Sequence, residues 1–253
     1  MSSSANAVDR AQREPELLDQ TVVVIGGSGG IGLETARRAR SEGAEVVLAA
    51  RNPERLEQAA RDVDARSTAA FDATDAGAVK QFFDGLGPID HVLVTGPGPS
   101  YVPLLEMNAD QVRDELGSHV VLGLDVARNA APNMRPGGTL LLMGGTGGRR
   151  IRRDLGLASA ATAVLPAFTA SLALALAPVR VNLIAAGFVD TPLSASYFTA
   201  EGLEARREEL RTTLPIGRVV GPADVAALAV HLMTNTALTG ATYDIDGGQQ
   251  FVS

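Results

Sequence analysis

Residues 21–40 read TVVVIGGSGGIGLETARRAR. A β-branched run, Thr21–Gly26, meets a turn containing Gly26, Gly27, Ser28, Gly29, Gly30 and Gly32, and helical character runs from Ile31 to Ser41. Glycines at such a junction let the backbone turn tightly and approach a pyrophosphate, which then sits on the amino terminus of the helix. A glycine-rich turn alone is weak evidence. Its place between a strand and a helix, at the start of a βαβ unit, gives it weight.

Working outward, the same alternation continues to the end of the chain. Ala44–Ala50, Ser67–Phe71, His91–Thr95, Thr139–Met143, Val179–Ala185 and Ala241–Ile245 read as further strands. Pro53–Val63, Asp75–Asp84, Asn108–Asn129, Leu155–Ala177 and Pro222–Met233 have helical character. Strands rich in Val, Ile and Leu without polar alternation suit a parallel sheet buried on both faces. Repeated βα units predict an α/β fold: a single-domain, doubly wound Rossmann sheet of seven parallel strands with helices on both faces. The polar segment 1–16 is expected to be a mobile arm and 17–253 the domain.

Composition narrows the function classes. The chain has 253 residues with a formal charge of −7 and a single lysine, Lys80. That balance speaks against a nucleic-acid partner, which needs clustered Lys and Arg. Cysteine is absent, which excludes disulfides and thiolate chemistry and fits the expected cytoplasmic location. No His/Asp/Glu cluster has metal-ligand spacing. The most apolar stretch, Leu155–Ala177, carries Pro166 and scattered Ser and Thr and runs directly into a strand pattern. It reads as a helix buried between subunits rather than a membrane span.

The spacing Gly26, Gly30, Gly32 is G-x-x-x-G-x-G, and from about Asp19 to Ser253 the chain resembles a short-chain dehydrogenase/reductase. FDATD (71–75) is similar to the family's acidic segment, which implies adenine binding by Asp72 with Ala73 beside it. VTGPG (94–98) replaces the usual N-N-A-G and puts Gly96 at the cofactor. VRVNLIAAGFVDTP (179–192) resembles R-V-N-x-x-x-P-G-x-x-x-T, with Ala186 where proline is usual, an exchange expected to loosen the backbone. The resemblance implies that Gly187, Val189 and Thr191 hold the nicotinamide carboxamide and that Gly26, Ser28, Gly30, Ile31 and Gly32 line the pyrophosphate. ALTGATYDIDGG (237–248) matches the carboxyl-terminal motif, and the stretch around 192–215 resembles the substrate lid, with EARREEL as an exposed charged helix face. Arg51, after the second strand, stands where an acidic residue would hold the ribose of NAD. It suits the 2′-phosphate of NADP(H) instead.

The family's Asn-Ser-Tyr-Lys set is where the resemblance fails. Register from SLALALAPVRVN gives Ala158 and Thr162 at the tyrosine and lysine positions and Gly145 at the serine, and on the helix HVVLGLDVARNAAP His119 falls where the asparagine usually lies. No shift of alignment restores the motif: Tyr101, Tyr197 and Tyr243 are followed four residues on by Leu105, Glu201 and Gly247, and Lys80 is preceded by Ala76. A positioned general acid is worth about 10²–10⁴-fold. The expectation is an NADP(H)-dependent reductase with an atypical active site, acting on an activated C=O, C=N or C=C group of a small molecule. An iminium ion takes up hydride with no proton at all. His119, Tyr101 and Tyr197 are the candidate replacement donors, each of which also reads as a packing or loop residue. The alternative is an NADP(H)-binding protein without redox turnover. Arg149, Arg150, Arg152 and Arg153 fit either an anionic substrate group or a surface patch. A homo-dimer or homo-tetramer is expected from the apolar helix.

Overall fold

The computed structural model describes residues 15–152 and 155–252, so residues 1–14 of the expected arm lie outside the described residues. Beyond them, the Glu16 amide donates to Glu42 and Leu17 is fully buried. Seven strands, β1 (Thr21–Ile25), β2 (Glu45–Ala50), β3 (Ser67–Ala70), β4 (Ile89–Val94), β5 (Met134–Gly145), β6 (Arg180–Ala186) and β7 (Thr242–Ile245), form one parallel sheet in the order β3-β2-β1-β4-β5-β6-β7. Strand order reverses between β1 and β4, and in such sheets ligands bind in the crevice beyond the strand carboxyl ends at that point. The glycine turn opens there.

Alternation within β1 explains why the sheet is covered on both sides. Val22 and Val24 enter one core with Ala36 and Ala39 of α1 (Gly30–Ser41), Leu56 and Ala59 of α2 (Pro53–Val63), and Val225 and Ala229 of α9 (Pro222–Thr234). Val23 and Ile25 enter the other, with Val79 and Phe83 of α3 (Ala76–Asp84), Leu122 and Val126 of α4 (Ala109–Ala130), and Leu165 and Leu172 of α6 (Leu165–Ala175). Burying one such side chain contributes about 1.5–3 kcal/mol, which is why unbroken Val/Ile runs specify the sheet.

Three readings of the sequence need correction. The expected helix Leu155–Ala177 is two helices, α5 (Ala158–Ala163) and α6, interrupted at Val164 before Pro166, whose nitrogen has no hydrogen to continue the ladder. Residues Ala158–Ala175 are long and apolar enough to cross a membrane by composition, but Leu165 and Leu172 pack in the core while Leu174 is exposed. Ala186 does not loosen its turn: β6 continues through it, paired with Gly145 on one side and Ile245 on the other. His91, read as a strand start, is buried within β4 with its Nε2 2.6 Å from Gln20 Oε1.

The R-V-N segment is structural. Arg180, nearly fully buried, donates from Nη1 to the Leu232 carbonyl at 2.8 Å and from Nη2 to that of Met233 at 2.7 Å. It thus satisfies carbonyls left open at the end of α9. Asn182 donates to Leu238 and accepts from Ala241, fastening β7 to β6. This holds the carboxyl end of β6, and the loop after it, in place.

Candidate active site

The glycine turn has the properties of an anion cradle. Gly26 (φ +88°) and Gly30 (φ +53°) occupy the left-handed region. A Cβ on Gly32 would lie 2.9 Å from the Gly26 carbonyl carbon. At the head of α1, Gly29 offers no capping side chain and the first turn has no acidic residue. The first amides of α1 are therefore free of any side-chain acceptor, and the positive end of the helix dipole is uncompensated. Ser28 and Ile31 are half-buried along this turn. These residues fit a dinucleotide pyrophosphate.

At the end of β2, Arg51 is exposed and lies close enough to Asp72 to help lower its carboxyl pKa, after the larger effect of two hydrogen bonds from Thr74. Both of those bonds, from the Thr74 amide and hydroxyl, end on Asp72 Oδ1 at 2.9 Å. Ala73 packs half-buried beside it. Arg55, which the sequence reading passed over, reaches back from the first turn of α2, its Nη2 2.9 Å from the position of a Cβ on Gly29. Nothing marks one arginine on an exposed helix in the sequence. Only the vacancy at Gly29 does, once the fold brings the two together.

Across the crevice runs the loop after β6. The Gly187 amide donates to Ile245 and that of Phe188 to Gln249 Oε1, while Val189 bridges to Val220. Thr191 caps α7 (Pro192–Ala195), its Oγ1 accepting from the Ser194 amide at 3.2 Å. Its Cβ lies 3.4 Å from the place of a Gly30 Cβ, so the two loops converge over the turn. The expected lid comprises α7 and α8 (Ala200–Thr213). EARREEL is more than an exposed face: Arg207 makes a two-pronged ion pair with Asp190, 2.9 Å and 2.8 Å, tying the lid to this loop.

Two of the positions in register with the family's acid set, Gly145 and Thr162, meet in the fold. Gly145 ends β5, and the Thr162 methyl stands 3.2 Å from where its Cβ would be. Thr162 Oγ1 donates to the Ser159 carbonyl at 3.0 Å, and Ala158 is buried. His119 lies on α4 with its ring over Gly96, its Cδ2 2.7 Å from the place of a Gly96 Cβ, and burial lowers its pKa. Tyr101 and Tyr197 meet edge to face, with ring centroids 5.0 Å apart. The Tyr197 hydroxyl approaches Gly98.

One group here escaped the sequence reading. Glu115, one helical turn before His119, is half-buried and accepts a 3.0 Å hydrogen bond from the Ser100 amide. Desolvation raises its pKa, and its charge, after burial, raises that of Tyr197. Among the described residues no arginine or lysine pairs with it. Of the arginine cluster, Arg149 is bound to Asp244 at 2.8 Å, Arg150 and Arg152 are half-buried, and Arg153 lies outside the described residues. Among the described residues no group of three or more His, Asp or Glu side chains could hold a metal ion.

Comparison with known proteins places this architecture. Residues 26–250 match a family model described as enoyl-(acyl carrier protein) reductase. An uncharacterised oxidoreductase of Mycobacterium tuberculosis is 30% identical over 92% of this chain and 93% of its own length. A short-chain dehydrogenase/reductase of Stachybotrys chlorohalonatus is 27% identical over 92% of this chain and 98% of its own. Among solved structures, a small-chain dehydrogenase in complex with NADPH superimposes with a TM-score of 0.79 at 26% identity, covering 92% of this chain and 99% of that one. BdcA in complex with NADPH gives a TM-score of 0.82 at 25% identity, covering 92% and 95%.

Proposed function

The chain belongs to the short-chain dehydrogenase/reductase family, and from that premise we propose that it is an NADP(H)-dependent oxidoreductase with an atypical active site, reducing an activated C=O, C=N or C=C group of a small molecule. The observation that carries this reading is the uncapped glycine turn at the head of α1, flanked by Arg51 and Arg55. The helix terminus suits the pyrophosphate, and two guanidinium groups at the adenosine end suit a 2′-phosphate better than a bare ribose. NADPH complexes of two structural relatives support the same cofactor. When bound, NADPH supplies a hydride. The loop Gly187–Thr191 and Gly96 would hold the nicotinamide, and Asp72 the adenine.

The acid set is what makes the site atypical. Thr162 fills the space beside Gly145, and no Tyr-x-x-x-Lys exists in the chain. Ordinary ketones, which leave an alkoxide needing a proton, are therefore poor substrates. The exposed apolar residues Val121 and Leu124 of α4 and Val164 and Leu174 around α6 support a homo-dimer or homo-tetramer. Light scattering at micromolar concentration tests it, and a monomer would contradict it.

The catalytic reading is tested by NADPH oxidation, followed at 340 nm against imines, quinones and activated and plain ketones. Turnover of an activated class, with plain ketones at least 10²-fold slower, is expected. A second reading, NADP(H) binding without turnover, rests on the same missing phenol. Tight NADPH binding with no oxidation by any class would select it, and no binding at all would overturn both.

A further inference from the structure

Three features of the substrate end converge on one ligand chemistry. The first is a carboxylate with no cationic partner among the described residues, Glu115, whose Oε2 accepts the Ser100 amide. A half-buried carboxylate left this way gains from a counter-charge more than an exposed one would, because water screens it less. The second is the aromatic pair Tyr101 and Tyr197, perpendicular at 82° and reaching into the same place from the β4–α4 loop and from the lid. Their ring faces attract cations, and a carboxylate beside such faces is a recurrent way of holding ammonium-type groups.

The third feature is the direction in which this environment biases its titratable groups. Burial disfavours protonation of the His119 ring, and burial with the Glu115 charge makes the Tyr197 phenol harder to ionise. Both shifts oppose proton donation to an alkoxide. The same field favours a substrate that begins positive and ends neutral.

We propose that the substrate is a cationic C=N compound, an iminium ion, held by Glu115 as its counter-ion and by the rings of Tyr101 and Tyr197. Reduction of an iminium ion by the hydride that NADPH supplies forms one C–H bond at carbon and returns the C=N π pair to nitrogen. The products are a neutral amine and NADP⁺, and no proton is transferred. That chemistry explains why the family's phenol can be absent without loss of function. The inference rests on NADP(H) binding as proposed above and adds the substrate class and the role of Glu115.

The test is calorimetric titration of the protein saturated with NADP⁺, in which no reduction can occur. The probes are the N-methyl-3,4-dihydroisoquinolinium cation and the neutral bicyclic 1-tetralone. The wild-type protein should bind the cation about tenfold or more tightly than the ketone. Glu115→Gln keeps an acceptor for Ser100 and so preserves the loop; it should erase that preference while leaving NADP⁺ affinity unchanged. Tyr197→Ala removes one of the two rings and should weaken binding of the cation more than binding of the ketone. NADP⁺ binding without a cation preference, a preference that survives Glu115→Gln, or unchanged cation affinity in Tyr197→Ala would overturn this inference alone. Failure to bind NADP⁺ would overturn the proposed function as well.

Discussion

Gly32→Ala is the sharpest perturbation of the proposed cofactor cradle. The added Cβ would stand 2.9 Å from the Gly26 carbonyl carbon, closer still to its oxygen, and 3.3 Å from Gly27 Cα. Ordinary contact begins near 3.4 Å, so the turn must open by at least about 0.5 Å, and all three neighbours are backbone atoms that cannot rotate away. Overpacking of this kind costs about 1–3 kcal/mol, which for a chain of this size lowers Tm by about 2–12 °C. The same displacement moves the first amides of α1 away from the pyrophosphate. A hydrogen bond to a charged group is worth about 1.5–3 kcal/mol, so NADPH should bind roughly 10–100-fold more weakly. Differential scanning fluorimetry and NADPH fluorescence titration measure the two effects. Gly87→Ala is the control, because no atom lies within 4 Å of the new Cβ, and its stability should change by less than about 0.5 kcal/mol. If Gly32→Ala kept wild-type Tm and wild-type NADPH affinity, the steric argument for the turn would be refuted.

Other consequences follow from the same contacts. Arg51→Gln and Arg55→Gln should each weaken NADPH binding about 5–50-fold and leave NADH unchanged, since only the 2′-phosphate would feel the lost charge; equal losses for both dinucleotides would place the arginines elsewhere. Arg180→Met removes the donors that satisfy the Leu232 and Met233 carbonyls at the end of α9, and urea denaturation should show a loss of about 3 kcal/mol or more. His91 gives a pH dependence. Desolvation lowers its pKa from 6.5 to about 4 in the fold, so the unfolded chain takes up its proton first as pH falls. The stability contributed by neutral His91 is whole above about pH 6.5 and drains toward pH 4, by about 2 kcal/mol at pH 5. His91→Gln should flatten that part of the profile.

The legible and illegible parts of this protein divide along physical lines. The sheet could be read because strands buried on both faces must be apolar without interruption, and VVVI, VVLAA and LLLM are. The glycine turn could be read because its glycines are demanded by backbone geometry within a few residues. The break before Pro166 was hidden by the apolar character of its surroundings, which suits one long helix or two short ones. Arg55 over Gly29, Glu115 under Ser100 and the Tyr101–Tyr197 contact are long-range meetings of ordinary surface residue types. No periodicity marks them, and only the folded crevice brings them together. Ala186 shows the reverse case: a departure from the family pattern that looked like a loosened turn is an extra pair of strand contacts.

The account depends most on whether this turn and its two arginines grip a phosphorylated dinucleotide. Parallel fluorescence titrations of the unmodified protein with NADPH and NADH at fixed ionic strength measure that directly. The account predicts saturable NADPH binding about tenfold or more tighter than NADH. Equal affinities, tighter NADH, or no binding of either would contradict it.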